Sequence, residues 1–338
     1  MKKTLLTIAA VAALASCTKN EVVYSDSQEI GVMPVSKIIP KGGPLTPEDD
    51  FPNEMFKVIA FHGKELTAPT TWAAGTKVED DYYFDWTNFA SIGETWAGAD
   101  ETGVHTPKYW PKQGQLFFAG YYPHDAVATE NATYTFNTAN LSLSGYTTKT
   151  YSNETSMDDL MWFDVNDQTS ANSGPVPVTF KHALSWITFI VNAADDASNE
   201  VFTISSIKLK QVHTSGDFNS NNSTANSAAW SNQSTPVDFN VFSGSQTINK
   251  VKGKEGENDI TYDGLLIIPQ AIIDDTNIIE VNYTMKGVNS EFTYLAKLSG
   301  EWEVGTHYTY TLTFGAKEIE FTPSIGNWED SSTDITVQ

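Results

Sequence analysis

From His307 to Phe314 the chain alternates strictly. Tyr308, Tyr310, Leu312 and Phe314 interleave with His307, Thr309, Thr311 and Thr313. Successive side chains of an extended strand point to opposite faces. The segment therefore has one apolar and one polar face, as in a sheet that covers a core on one side. Similar runs recur from end to end: Met55–Phe61, Asp81–Trp86, Gln115–Tyr122, Ala132–Phe136 and Asp159–Phe163, separated by turn residues. Phe180, Ile187, Phe189 and Val191 mark a further strand. Phe202 and Ile204, then Ile207 and Leu209, mark another whose phase slips, the sign of a bulge. Ile279, Val281, Tyr283 and Met285 alternate up to a turn at Gly287, which leads to Phe292 and Tyr294. Short β-type runs punctuated by turns predict an all-β chain of antiparallel β-sandwich domains. No heptad, strict repeat or long helical pattern competes. The Ser/Asn/Thr-rich stretch from Thr214 to Thr235 reads as a long exposed loop around Trp230. Ala171–Pro177 reads as the linker between two sandwiches, 29–172 and 173–338.

The amino terminus limits where such a fold matures. Lys2 and Lys3 precede an apolar stretch from Leu5 to Ala15, the form of a secretory signal peptide. It falls short of the roughly 20 apolar residues that span a bilayer. The stretch ends Leu14-Ala15-Ser16-Cys17, which resembles the lipobox of bacterial lipoproteins. That resemblance implies removal of residues 1–16 and lipidation of Cys17, with the outer-membrane lipid as its partner. Cys17 is the only cysteine, so neither a disulfide nor a cysteine-based zinc site is available. Residues 17–28 read as a polar, lipid-attached tether.

Composition excludes one large class of partner. The chain has 42 acidic and 20 basic residues, all of the latter lysine, and a net charge of -22. No basic patch for nucleic acid is visible. No HExxH, GxSxG, P-loop or GxGxxG pattern occurs, the six histidines are scattered, and no cofactor or metal is expected. His182 reads as a hydrogen-bonded structural residue. Asp158 and Asp159 fall on opposite faces of a strand and do not act together as catalytic acids. Trp110, Trp162 and Trp186 read as core. Trp72, Trp96 and Trp230 lie in polar contexts and are the candidates for stacking on sugars.

Several stretches together resemble the fimbrillin-like (type V pilin, Mfa-like) family of surface lipoproteins. They are Tyr109-Trp110-Pro111, Leu116 to Pro123 (LFFAGYYP), Asp158 to Met161 (DDLM) and Phe180 to Ser185 (FKHALS). Leu265 to Gln270 (LLIIPQ), Gly305 to Tyr310 (GTHYTY) and Ile325 to Trp328 (IGNW) complete the series. The resemblance implies two tandem transthyretin-like sandwiches and a structural, non-enzymatic subunit of a surface fimbrium that supports adhesion. It also implies an assembly route. A trypsin-like protease cuts the loop after the first strand, and the vacated groove takes an extended carboxy-terminal segment of another pilin subunit. In this chain the displaced strand would carry Ile30, Val32 and Val35, and Pro34 suits an edge position. The cut would fall after Lys37 or Lys41, where family members commonly have arginine. The donor strand would carry Ile319, Phe321, Ile325, Trp328, Ile335 and Val337. For Ile319–Ile325 an alternative stands: the last strand of the second domain, folded at home. A second functional alternative is a non-polymerising surface lipoprotein that binds glycans through exposed aromatics.

Overall fold

The computed structural model describes residues 24–34, 55–63, 82–93, 95–112, 114–135, 139–153, 156–171, 174–197, 200–222, 229–249, 259–273, 275–316, 318–328 and 335–336. Among these residues the regular structure is β-strand, interrupted by short 3-10 turns at Thr129–Asn131, Asp195–Ala197 and Ser220–Asn222.

Eight strands form the first sheet. Their spatial order is Val176–Val178, Gly31–Pro34, Thr95–Ala99, Tyr82–Ile92, Phe56–Gly63, Gln115–Tyr122, Met161–Gln168 and Lys181–His182. Gln115–Tyr122 is buried at every position, which explains why its sequence from Leu116 onward shows no apolar–polar alternation. On one side Leu116, Phe118 and Tyr122 join a core with Phe56, Val58 and Phe163. On the other, Phe117 and Phe61 pack on Tyr134, at 5.2 and 5.7 Å between ring centroids. Tyr134 belongs to a four-stranded sheet of Ala132–Thr135, Asn140–Thr147, Ser215–Asn219 and Trp230–Ser231. The hydrogen-bonded first sheet thus runs past the division expected at residue 172, and a second sheet draws strands from both sides of it.

The remaining strands build a sandwich. One sheet orders Ile260–Ile267, Ser185–Ala193, Thr306–Phe314, Ile319–Asn327 and Ile335–Thr336. The other orders Val237–Ile248, Phe202–Val212, Ile278–Met285 and Glu291–Lys297. Phe314 bridges the two layers, 5.3 Å from Phe202 and 5.0 Å from Tyr283 between ring centroids. The alternation from His307 to Phe314 is realised as expected: Tyr308, Tyr310, Leu312 and Phe314 are buried. The bulge expected in Phe202–Val212 falls between Ile204 and Ser206 and displaces the register to both neighbours.

Four expectations need correction. The pairing is not wholly antiparallel: Ser185–Ala193 runs parallel to Thr306–Phe314, and Val176–Val178 runs parallel to Gly31–Pro34. The strand expected from Phe180 to Val191 is two strands, Lys181–His182 and Ser185–Ala193, in different sheets. The tether ends earlier than residue 28, because Tyr24–Glu29 is a strand paired with Tyr109–Pro111. The described residues of the Thr214–Thr235 stretch, 214–222 and 229–235, are not one exposed loop. They supply two strands, and Trp230 is buried against Phe218 and Tyr146, with its indole N–H donating to the Ala183 carbonyl at 2.8 Å.

Candidate assembly site

Ile30 and Val32 alternate about Gly31, and both are fully buried, in the core beneath the first sheet. The Ile30 N–H donates to the Lys108 carbonyl at 2.7 Å, and Glu29 accepts from the His105 ring. Gly31 lies close to its neighbour, and a Cβ there would sit 3.3 Å from Pro175 Cβ. The strand is not at an open edge, which corrects the inference from Pro34. Val176–Val178 covers its outer side, in register with Val32, Met33 and Pro34. On the inner side it makes two register pairs, Gly31 with Ala97 and Val32 with Trp96. The pairings that hold this strand are therefore short on both sides.

At the other end of the chain, Ile319–Asn327 pairs along its whole length with Thr306–Phe314. Phe321 stacks on Tyr310 at 5.7 Å, and Tyr310 is fixed in turn by the Trp302 indole N–H at 2.8 Å. Ile319–Ile325 thus lies in a strand paired within its own chain. Ile325 is 38 % exposed, whereas Trp328 is 2 % exposed. Beyond Trp328, the described residues Ile335 and Thr336 form a two-residue strand on Ser324 and Ile325, the outermost of its sheet.

Trp328 closes a seam of rings. It stacks on His182 with centroids 3.8 Å apart and planes 11° apart, and tilts on Trp186 at 5.8 Å. His182 donates from Nδ1 to Asp159 Oδ2 at 2.8 Å, which fixes the ring. Trp186 stacks on His307 at 3.6 Å and donates its indole N–H to Asp263 Oδ1 at 2.7 Å. The Thr188 hydroxyl donates to the same carboxylate oxygen at 2.7 Å, so it accepts from His307 Nε2, 2.8 Å away. Segments far apart in sequence (DDLM, FKHALS, GTHYTY and IGNW) thus meet at one seam. It joins the edge of the first sheet to the second sandwich and to the start of the tail. Burial pushes the neighbouring Tyr308 phenol up to about 12, and its hydroxyl donates to the Glu301 carbonyl at 3.0 Å.

Cys17, Lys37, Lys41, Val35, Val337 and Trp72 lie outside the described residues. Of the other aromatics named for sugars, Trp96 is half-buried against the first core and Trp230 is buried, so Trp230 presents no ring to a glycan. The polar neighbours of Trp230 in sequence misled, because its cover comes from Phe218 and Tyr146 on separate strands. Trp110 and Trp162 are core, as expected.

A protein family described as fimbrillin-like matches residues 53–328. Among solved structures, the fold is similar to a fimbrial protein from Bacteroides vulgatus ATCC 8482, with a TM-score of 0.61 and 17% identity. That match covers 89% of this chain and 100% of the other. It is also similar to a candidate cell adhesion protein from Bacteroides ovatus ATCC 8483, with a TM-score of 0.54 and 16% identity, covering 92% of this chain and 100% of the other. No curated protein matches the chain by sequence.

Proposed function

The chain belongs to the fimbrillin-like family, its match spanning residues 53–328, and from this membership we propose that it is a structural, non-enzymatic subunit of a cell-surface pilus. In this reading it is exported as a lipoprotein through Cys17 and cut by a trypsin-like protease after Lys37 or Lys41. It then joins other pilin subunits head to tail by strand exchange and supports adhesion.

The observation that carries the reading, beside the family match, is the short pairing of Gly31–Pro34: three register pairs on one side and two on the other. Ile30 and Val32 fill buried sites, and their departure would leave an apolar slot shaped for alternating side chains. An extended segment gains affinity from backbone bonds and register from side chains at every second position. The donor is best sought after Trp328. Ile319–Asn327 would have to give up nine register pairs to leave its own sheet, whereas Ile335–Thr336 would give up two. A contact of this kind does not close on itself and so propagates as a filament.

Limited tryptic digestion of the mature protein tests it. Cleavage after Lys37 or Lys41 should convert monomer into polymers visible by size-exclusion chromatography and electron microscopy. Replacing both lysines with alanine should prevent the conversion, and removal of residues 329–338 should abolish it while leaving a folded monomer. Cut, full-tailed protein that stays monomeric overturns the reading.

A further inference from the structure

Lys57 and Asn88 are buried, at 4 % and 3 % exposure, and face each other as register partners on adjacent antiparallel strands. Directly opposed residues of such strands have Cβ atoms about 4.5–5.5 Å apart on one face. On its other side Lys57 is in register with Tyr121, whose ring packs on Trp86 at 5.1 Å. A lysine in phase with Ile59 and Phe61 is out of place in a core. Its ion-pair partner is Glu101 at 3.5 Å, on a side chain that is 81 % exposed.

The amide of Asn88 is oriented. Its Nδ2 donates to the Asp100 carbonyl at 3.2 Å, and a carbonyl only accepts, so the nitrogen must face it. Oδ1 is then buried and accepts no hydrogen bond among the described residues. A buried orphan acceptor beside a buried amine calls for a chemical explanation. The Asn88 amide, followed by the charge of Lys57, holds the Glu101 carboxyl below its usual range. The loop that presents Glu101 is fixed by Asp100 Oδ1, which accepts from the Thr102 N–H and hydroxyl at 2.8 Å and the Val104 N–H at 2.9 Å.

We propose that Lys57 and Asn88 join spontaneously through an intramolecular amide bond, with Glu101 as the proton shuttle. Glu101 takes a proton from the Lys57 ammonium, and the neutral Nζ attacks Asn88 Cγ. The new C–N bond forms as the carbonyl pair moves onto Oδ1. Glu101 hands its proton to Nδ2, the Cγ–Nδ2 bond breaks and the carbonyl re-forms. Ammonia departs with the remaining proton as ammonium. An amine and a primary amide become a secondary amide, and no oxidant, cofactor or metal takes part. The product removes a buried charge and ties two central strands together. Closing the loop from 57 to 88 also restricts the unfolded chain, as a disulfide would. The cross-link does not depend on the pilus reading.

Intact-mass spectrometry of the folded full-length protein, followed by peptide mapping, tests it. The protein should be lighter than its sequence by one ammonia. Trypsin should leave Lys57 uncut within a branched peptide that contains Asn88. Lys57→Met and Glu101→Ala should both carry the full mass. Glu101 itself lies outside the core, at 81 % exposure, so the intact mass of that variant decides the matter even if Lys57→Met fails to fold. Loss of the bond should lower the melting temperature of Glu101→Ala by about 5 °C or more. Full sequence mass in the wild type, a deficit that persists in either variant, or one that maps elsewhere overturns the proposal.

Discussion

Replacing Trp328 with alanine is expected to lower the folding stability of the chain by about 3–5 kcal/mol, the cost of deleting a fully packed large aromatic. Trp328 is 2 % exposed and lies face to face with His182, 3.8 Å away, with Trp186 tilted against it at 5.8 Å. Such pairs add about 0.5–1.5 kcal/mol beyond the area they bury. Its loss also leaves His182 covered on one face less while still bonded to Asp159. The effect should be regional. Amides of Ile319–Asn327, which Trp328 follows directly, should exchange faster by hydrogen exchange, while those of Gln115–Tyr122 keep their protection. Trp328→Phe should retain more than half of the stability, because a ring still covers the imidazole. An unfolding free energy from urea titration within about 1 kcal/mol of wild type for the alanine variant would show that the seam is decorative.

Gly120→Ala should cost about 3 kcal/mol or more, at the upper end for an overpacked core. A Cβ at position 120 would lie 2.3 Å from Phe163 Cε1 and 2.6 Å from the Lys57 carbonyl oxygen. Gly120 and Phe163 are cross-strand partners, and the ring rests over the bare glycine. That ring cannot retreat, since Phe180 meets it edge-on at 5.0 Å and Phe56 at 6.2 Å. The strand carrying Lys57 cannot retreat without breaking its ladder to Gln115–Tyr122. Pairing Gly120→Ala with Phe163→Leu should recover part of the loss of ring clash but not the backbone contact. A single-variant loss below about 0.5 kcal/mol by chemical denaturation contradicts this account.

The strands that cover one core were legible because burial on one face writes itself as period two. Thr306–Phe314 and Ile278–Met285 are of this kind, and even the slip at Ile204 could be read from the phase of Phe202 against Leu209. Gln115–Tyr122 shows no period because both its faces are covered. What sits beside a strand is decided by distant residues. Nothing local tells that Val176–Val178 lies parallel to Gly31–Pro34, and this partner removed the open edge that Pro34 suggested. Trp230 was lost to the same cause. The seam was legible only as separate motifs, since the stacking of His182 on Trp328 joins segments whose sequences carry no mutual signal. Lys57 could have been found: it falls in phase with Ile59 and Phe61, where a cation needs a reason.

The parallel pairing of Ser185–Ala193 with Thr306–Phe314 orders events in time. These partners meet over eight register pairs but are separated by more than a hundred residues of chain. A polypeptide that emerges amino end first leaves Ser185–Ala193 with a bare flank until almost the whole length has been delivered. Long-range pairing of this sort is slow and exposes sticky edges meanwhile. Completion of the second sandwich therefore coincides with arrival of the tail, and a subunit still in transit has no finished site for Trp328 to close.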